Sequence, residues 1–573
     1  VWHAGLYEFI CDDAYISFRY AENLAEHSAL VWNLGERVEG YTNFLWTVLL
    51  GGLDALGLRP EHTSLWLGRL FGGLTVVMIF VIGGLTGGLL PLRVPASAGD
   101  PASRWAWLPV YAAAPALAAG CAAFACWSSG GLETQLFTFL STASFALYLW
   151  EEKSSKRVRL SGAIMALAAM TRPEGVLLFG WMGLHRAGFS LVELFSRSGE
   201  ATTGRATGSA RRSLTADLGR LVKRELLWAA GFVLIYGAYF LWRYSYYGYV
   251  FPNTYYVKAA SPDPGETHRL GWAYLTTFVD YYGLRYLAWV PPVGLALALY
   301  EGLRRGGSRI AVFSWTYWLG GTVALGALIV DVGGDFMAMH RFWVPVVPYL
   351  ALMVQDTLRG LAEIPARKWR DHTPARYGAP LVAGLATLLL VGTLGVRSHR
   401  LGERTRNELT VTRRGYHGQT DNMESVAFMK KFARDRVLIG RWLRERVPED
   451  AWMAVGGAGA IVYASGLRAI DTFGLADEHV AHEVEPRSPR PGHQKLAPMS
   501  YILSRRPDII CSPHVTRMQD WEYRPRRGER RRWEARGYQY FCATPEGLNP
   551  SHYCCLMRVD RDLGLEPVSA YRY

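Results

Sequence analysis

Long apolar runs separated by short polar breaks dominate the chain up to about residue 396. Ser64 to Leu90 and Trp105 to Cys126 each exceed the ~20 residues that a bilayer-spanning helix needs, and the polar loop from Pro91 to Arg104 lies between them. Leu136 to Trp150, Leu226 to Trp242, Leu287 to Leu303, Ile310 to Val330, Phe342 to Leu358 and Tyr377 to Val396 predict further crossings. Leu160 to Met170 and Val176 to Leu184 flank Thr171-Arg172-Pro173-Glu174-Gly175. Proline disfavours helix at its own position and just before it, so this pair predicts two half-length crossings that meet at a turn. Asn43 to Leu58 is too short to cross and is stopped by Arg59-Pro60-Glu61-His62, which predicts a helix lying along the membrane surface. Residues 185–224 are rich in Arg, Ser, Gly and Thr without a sustained apolar period, and predict a flexible cytoplasmic loop. Beyond 397 no bilayer-length run follows. Short apolar stretches such as Ala451 to Val455, Ile470 to Phe473 and Pro507 to Cys511 alternate with polar ones there and predict a small α/β domain. Two domains are therefore expected: a membrane domain over 1–396, with a first external loop over 1–63, and a soluble domain over 397–573.

Composition agrees with a membrane protein: half of the 573 residues are hydrophobic, and there are 21 Trp and 31 Tyr. A net charge of +13 would suggest nucleic acid in a soluble protein. Here the basic residues sit in short loops between apolar runs, which is the positive-inside signature of a bilayer protein, so no nucleic-acid partner is expected. Placing 91–104, 151–159, 185–224, 304–309 and 361–376 in the cytoplasm puts every unusual polar motif on the opposite side. Treating Asn43 to Leu58 as a crossing would break that rule in several loops at once. Val1 is not Met, and so few residues precede the first acidic pair that a further membrane helix is expected before it. Of seven cysteines, Cys121 and Cys126 read as packing residues. Cys511, Cys542, Cys554 and Cys555 lack zinc-site spacing, and a disulfide from Cys542 to either Cys554 or Cys555 is open. Val455 to Ala460 falls short of a dinucleotide fingerprint and reads as a tight turn.

The chemistry centres on Cys11-Asp12-Asp13-Ala14-Tyr15, with Glu39-Gly40-Tyr41-Thr42-Asn43 following. Adjacent carboxylates repel, which raises the pKa of one of them toward that of a useful proton acceptor; the alternative is that Asp12 simply caps the helix it begins. Ionisable groups at membrane level mark function unless they are paired. The external loops gather the acids Asp12, Asp13, Glu39, Glu133, Glu174 and Asp335 with the bases Arg19, Arg172, Lys258, His340 and Arg341. A phosphate needs Arg or Lys charge, and an attacking sugar hydroxyl needs a carboxylate base. Arg172 beside Pro173 has the plainer reading of a snorkelling cation, Gly333-Gly334-Asp335 that of a turn, and His340 that of a structural donor rather than a metal ligand. A divalent ion held by Asp12 and Asp13 and bridging to phosphate is a further alternative. No metal ligand set is otherwise assigned.

Taken together, the acidic pair, Glu-Gly-Tyr-Thr-Asn at 39–43, Ser-Gly-Gly-Leu-Glu-Thr at 129–134, Thr-Arg-Pro-Glu-Gly at 171–175, Pro-Asn-Thr-Tyr-Tyr at 252–256 and Gly-Gly-Asp-Phe-Met at 333–337 resemble the GT-C superfamily of polyprenyl-phosphate-sugar glycosyltransferases. Within it they are most similar to the terminal β-arabinofuranosyltransferases of the mycobacterial cell wall. The resemblance implies a mainly α, multi-pass transmembrane GT-C fold with a C-terminal extracytoplasmic α/β domain, in a bacterial plasma membrane with the active site outside. It also implies a polyprenyl-phosphate sugar donor rather than a nucleotide sugar, no certain cofactor, and a glycan acceptor. By position, Asp12 or Asp13 would be the base. Arg172, Lys258, Arg341 and His340 would hold the donor phosphate, and Arg19, Glu39, Tyr41, Asn43, Glu133, Glu174, Asn253, Tyr255 and Asp335 would shape the sugar and acceptor pockets. Whether the anomeric centre is inverted or retained stays open. Protein or lipid glycosylation by the same fold is one alternative; a flippase for lipid-linked sugars is another, against which stands the lack of pseudo-symmetric halves.

Overall fold

The computed structural model describes residues 1–87, 107–154, 159–202, 214–259, 261–304, 309–368, 373–407 and 423–568. The expected polar loop 91–104 lies outside the described residues, as do 155–158, 203–213, 305–308 and 369–372 within the expected basic loops.

The front end carries α1 (Trp2–Gly5), α2 (Asp12–His27) and α3 (Phe44–Asp54), and α2 packs along α3. The short α3 falls within the stretch expected to be helical there. Six helices among the described residues are long and apolar enough to cross a membrane. These are α4 (Pro60–Gly87), the Glu174–Phe195 part of α10 (Glu174–Thr202), Leu218–Tyr247 of α11 (Leu214–Tyr247), Leu284–Leu303 ending in α14 (Val290–Leu303), α15 (Arg309–Asp331), and Gly378–Asn407 of α17 (Thr373–Asn407). The protein is a multi-pass membrane protein. Two further helices, α8 (Thr134–Lys153) and α16 (Val347–Lys368), lie inside the bundle, α8 against α4 and α16 against α17. Small residues allow the closest approaches. A Cβ on Gly68 of α4 would stand 2.7 Å from the Ser128 carbonyl, and one on Gly72 the same distance from the Ser128 hydroxyl.

The bundle differs from expectation in three places. The run to Cys126 is not one crossing but three short helices, α5 (Leu108–Tyr111), α6 (Ala113–Gly120) and α7 (Ala122–Cys126). Cys121 takes an extended conformation after Gly120, and the Ala122 N–H freed by that break donates to Ser398 Oγ at 2.6 Å. The two half crossings are also not equal halves: α9 (Ser161–Thr171) is short, whereas the helix after Pro173 continues as a full-length span. Third, the helices on either side run well into the expected 185–224 loop, because its charges at the bundle end are paired. Buried Arg186 holds Glu151 at 3.0 Å and Glu225 at 2.6 Å.

On the side of the polar motifs lie α12 (Asn253–Lys258) and α13 (Pro264–Tyr281), and a 3-10 stretch, Ala338–Val346, leads into α16. The C-terminal part begins with α18 (Val426–Arg444) and carries a mixed six-stranded sheet. Strands β1 (Trp452–Val455), β2 (Arg468–Asp471) and β3 (Ile509–Cys511) are parallel; β6 (His552–Arg558) pairs antiparallel with β3, β4 (Arg517–Gln519) and β5 (Tyr538–Ala543). Helix α19 (Ala460–Ser465) connects β1 to β2 and packs on both α18 and α2. All four late cysteines are bonded, Cys511 to Cys555 across β3 and β6 and Cys542 to Cys554 across β5 and β6.

Candidate active site

Cys11, in extended conformation, is the N-cap of α2, so Asp12 and Asp13 are its first two helical residues. Carboxylates are favoured there by the unpaired N–H groups and the positive end of the helix dipole. Successive helical residues diverge by about 100°, and the two side chains have different fates. Asp12 does not cap its own helix. Its carboxylate accepts the N–H of Gly459 at 3.3 Å and of Ala460 at 3.0 Å, so it caps α19 from the other end of the chain. The Gly456 to Gly459 turn that follows β1 is thus filled by a carboxylate of this same chain. Burial pushes Asp12 up to about 6, against the pull of Arg436 and the two N–H groups and with a further push from Asp13.

Asp13 accepts no hydrogen bond among the described residues and stands amid charged groups from three other segments. Burial raises its pKa; Lys258 and Arg341 pull it down, and Asp335 and Glu133 push it up. Lys258, at the end of α12, is exposed to solvent, and its charge acts on Asp13. Its pKa is lowered by burial, with Asp13 opposing. Arg341 pairs with Asp335, Nε to Oδ2 at 2.8 Å, and its guanidinium lies 5.4 Å from the Trp127 ring and 5.1 Å from the Phe342 ring. Met339 and His340 just before it have φ of 60° and 52°. Such left-handed values are uncommon and mildly strained outside glycine.

Behind these groups, Arg172 caps the end of α9 and bridges Glu133 at 3.0 Å and Glu174 at 2.6 Å. Its guanidinium lies 5.0 Å from the same Phe342 ring that Arg341 approaches. Asn43 donates to the second Glu133 oxygen at 2.9 Å, and Thr47 donates to Asn43 at 3.1 Å. Expected site residues from six segments of the chain therefore meet in one place: Asp12 and Asp13, Asn43, Glu133, Arg172 with Glu174, Lys258, and Asp335 with Arg341. Among the described residues no three His, Cys, Asp or Glu side chains are grouped as a metal ion would need.

Six expected residues have other partners, and their expected roles are corrected. Arg19 donates to the carbonyls of Trp32, Val462, Gly466 and Leu467, which staples α2 to the C-terminal part. Glu39 is closed off in a buried pair with Arg243 at 2.8 Å. Tyr41 meets the hydroxyl of Tyr247 at 3.0 Å. Asn253 donates to the carbonyls of Gly474, Leu475 and Asp477, which fixes α12 and hence Lys258. Tyr255 is half-exposed on the outer surface, stacked on Phe251 at 4.4 Å. His340 is fully buried beside Thr277 and four aromatic rings, and burial lowers it to about 3, so it is neutral and offers no charge to a phosphate.

The sequence reading missed Glu424, Arg490 and Arg436. Glu424 is pushed up to about 8 by burial, with Arg490 pulling down and Asp13, Asp335 and Asp12 pushing further up. It belongs to a polar stretch with no periodic signal, and only Ser425, the N-cap of α18, marks its surroundings.

Comparison with known proteins follows the same lines. The terminal β-(1→2)-arabinofuranosyltransferase of Mycobacterium tuberculosis is 27% identical over 314 residues, 52% of this chain and 42% of that protein. Its counterpart of the same name in Corynebacterium glutamicum is 27% identical over 373 residues, 61% of this chain and 48% of that protein. The chain is similar to terminal arabinofuranosyltransferases. It spans less than half the length of these two relatives. Residues 426–553 match a domain of unknown function, DUF8728. Among solved structures, ArnT from Cupriavidus metallidurans superposes with a TM-score of 0.46 in the apo state (11% identity, 96% of this chain and 95% of that one). The same protein bound to undecaprenyl phosphate superposes with a TM-score of 0.40 (13% identity, 81% and 82%).

Proposed function

We propose that this protein is a membrane glycosyltransferase that moves a sugar from a polyprenyl-phosphate donor to a glycan acceptor on the extracytoplasmic side, with Asp13 as the base. The observation that carries this reading is the division of labour in the acidic pair. Asp12 is tied to backbone N–H groups, and Asp13 is left facing Lys258 and Arg341. In the step proposed, Asp13 takes the proton of an acceptor hydroxyl as its oxygen bonds to the anomeric carbon. The bond from that carbon to the phosphate oxygen breaks, and polyprenyl phosphate leaves with the electron pair. Lys258 and Arg341 balance its charge. Arg172, saturated by two carboxylates, acts on the phosphate through the field it adds behind Arg341 and orients Glu133 and Glu174.

Two further features support the reading. An apolar cavity of about 1030 Å³ opens between helices that include α13, α14 and α15, walled by Trp272, Leu275, Phe278, Val290 and Trp343; Trp343 lies two residues from Arg341, and such a cavity suits an isoprenoid chain. Two disulfides in the C-terminal part fit an oxidising compartment, as does the sidedness expected from the basic loops. The names of the two relatives favour arabinofuranose as the sugar. The test is incubation of the purified full chain with a panel of polyprenyl-phosphate sugars and arabinofuranose oligosaccharides, with products read by mass spectrometry. Transfer by the wild type and its loss in Asp13→Asn is the expected result. Full transfer by Asp13→Asn overturns Asp13 as base, and lipid flipping in proteoliposomes without product overturns the enzyme reading.

A further inference from the structure

Beside the Asp335 loop lies a cluster of residues that the sugar-transfer step does not use. Glu424 is fixed by its backbone, whose N–H donates to the Phe336 carbonyl at 2.8 Å, and that sets it beside Asp335. Its side chain keeps 16% exposure, and Oε1 lies 3.4 Å from Arg490 Nη2, a loose contact for an ion pair. Arg490, with 24% of its side chain exposed, lies over Phe336 at 5.5 Å. His493 sets its ring edge-on against both Phe336 at 4.8 Å and Phe473 at 5.0 Å. This corner therefore joins the Asp335 loop to the C-terminal part, and it offers one carboxyl and one guanidinium on an aromatic backing.

Charge decides what it suits. Asp13, Asp335 and Asp12 all push Glu424 up and Arg490 pulls it down, so three neighbouring carboxylates disfavour a further anion in this corner. Neutral hydroxyls are not disfavoured. A carboxyl and a guanidinium side by side present both acceptor and donor atoms to a polyol.

We propose that Glu424 and Arg490 bind the acceptor, with neighbouring hydroxyls of a sugar ring bridging the two side chains so that the attacking hydroxyl is turned toward Asp13. This rests on the glycosyl-transfer reading above and adds the acceptor's place to it. The rise of Glu424 to about 8 agrees: near neutrality it carries a proton, both donates and accepts, and adds no negative charge to the site.

The test uses the full chain with a polyprenyl-phosphate arabinofuranose donor and an arabinofuranose oligosaccharide as acceptor probe, comparing Glu424→Ala, Glu424→Gln and Arg490→Gln. The expected result is an acceptor KM raised tenfold or more in Glu424→Ala and Arg490→Gln and less than threefold in Glu424→Gln, which keeps both a donor and an acceptor. Thermal stabilisation by polyprenyl phosphate alone stays as in the wild type in all three. An acceptor KM within twofold of wild type in Glu424→Ala and Arg490→Gln overturns the proposal, as does a parallel loss of the polyprenyl-phosphate effect. Should Glu424→Ala not fold, Arg490→Gln decides by the same criteria. If the wild type transfers nothing, the reading beneath has failed; the corner is then judged by oligosaccharide binding in thermal shift, and equal binding by wild type and both truncated variants overturns it too.

Discussion

Replacing Asp12 and Asp13 one at a time by Asn separates chemistry from architecture, because the two side chains have nearly the same size and opposite surroundings. Asp13→Asn removes the proposed base, which makes no hydrogen bond among the described residues, and it also removes a negative charge that burial disfavours. Stability should therefore hold or rise slightly. Loss of a positioned base costs about 100- to 10,000-fold in rate, or about 3 to 5 kcal/mol of barrier. Asp12→Asn has the reverse profile. It weakens two charge-assisted bonds, to the Gly459 and Ala460 N–H groups, each worth about 1.5–3 kcal/mol, and one amide oxygen can restore only part of that. The expected outcome is a clear fall in thermal stability with transfer still measurable, within about tenfold of wild type. That tenfold allowance is about 1.4 kcal/mol of barrier, the scale of a site that loosens without losing its reacting groups. The assay pairs single-turnover release of polyprenyl phosphate with thermal unfolding of the same detergent preparations. An inactive but stable Asp12→Asn, together with an active Asp13→Asn, would refute the reasoning, since it would place the base on the carboxylate that the backbone already occupies.

The pH dependence follows from the same group. A base must be deprotonated, so kcat/KM should fall with decreasing pH at a midpoint above that of an ordinary aspartate, and Asp13→Asn should lose that limb of the profile. Lys258→Met should raise donor KM tenfold or more with little effect on thermal stability, because the Lys258 amine has no hydrogen-bond partner among the described residues to lose; in the wild type, donor KM should rise with pH at a midpoint below that of an ordinary lysine. Arg341→Ala strands the buried Asp335, and breaking such a pair costs about 3–5 kcal/mol; a double variant with Asp335→Ala should recover part of the stability but none of the donor affinity, read by thermal shift with polyprenyl phosphate. Opening Cys511–Cys555 or Cys542–Cys554 by paired Ser substitutions frees loops of 44 and 12 residues. Loop-closure entropy puts the losses at about 4 and about 3 kcal/mol, and limited proteolysis should show earlier cleavage in the C-terminal part for both.

Much of the membrane part was legible because its signal is additive: bilayer length, low charge and basic connecting loops can each be counted along the chain. Trp105 to Cys126 defeated that counting, since apolar content says nothing of a break at Cys121 that a distant Ser398 hydroxyl satisfies. The 185–224 stretch defeated it the other way. Its charges read as solvated, yet Arg186 is buried because Glu151 and Glu225 arrive from other helices. At the candidate site, motifs with unusual polar residues led to Asp13, Glu133, Arg172, Asp335 and Arg341. The same rule overreached at Arg19, Glu39 and Asn253, whose partners are backbone carbonyls or a buried arginine that only the fold reveals. Glu424 was illegible for the opposite reason: nothing in its neighbourhood looks unusual until Asp13 and Asp335 stand beside it.

The tight fit at Gly459 bears on how such proteins can be recombined. A Cβ at that position would come within 1.9 Å of the Asp12 carbonyl oxygen, so the turn after β1 and the first acidic loop are matched halves of one joint. A hybrid that takes its tail from one relative and its membrane bundle from another must therefore import the opening thirty or so residues along with the tail. Otherwise the graft seats badly at the very point from which Asp13, the proposed base, is aimed.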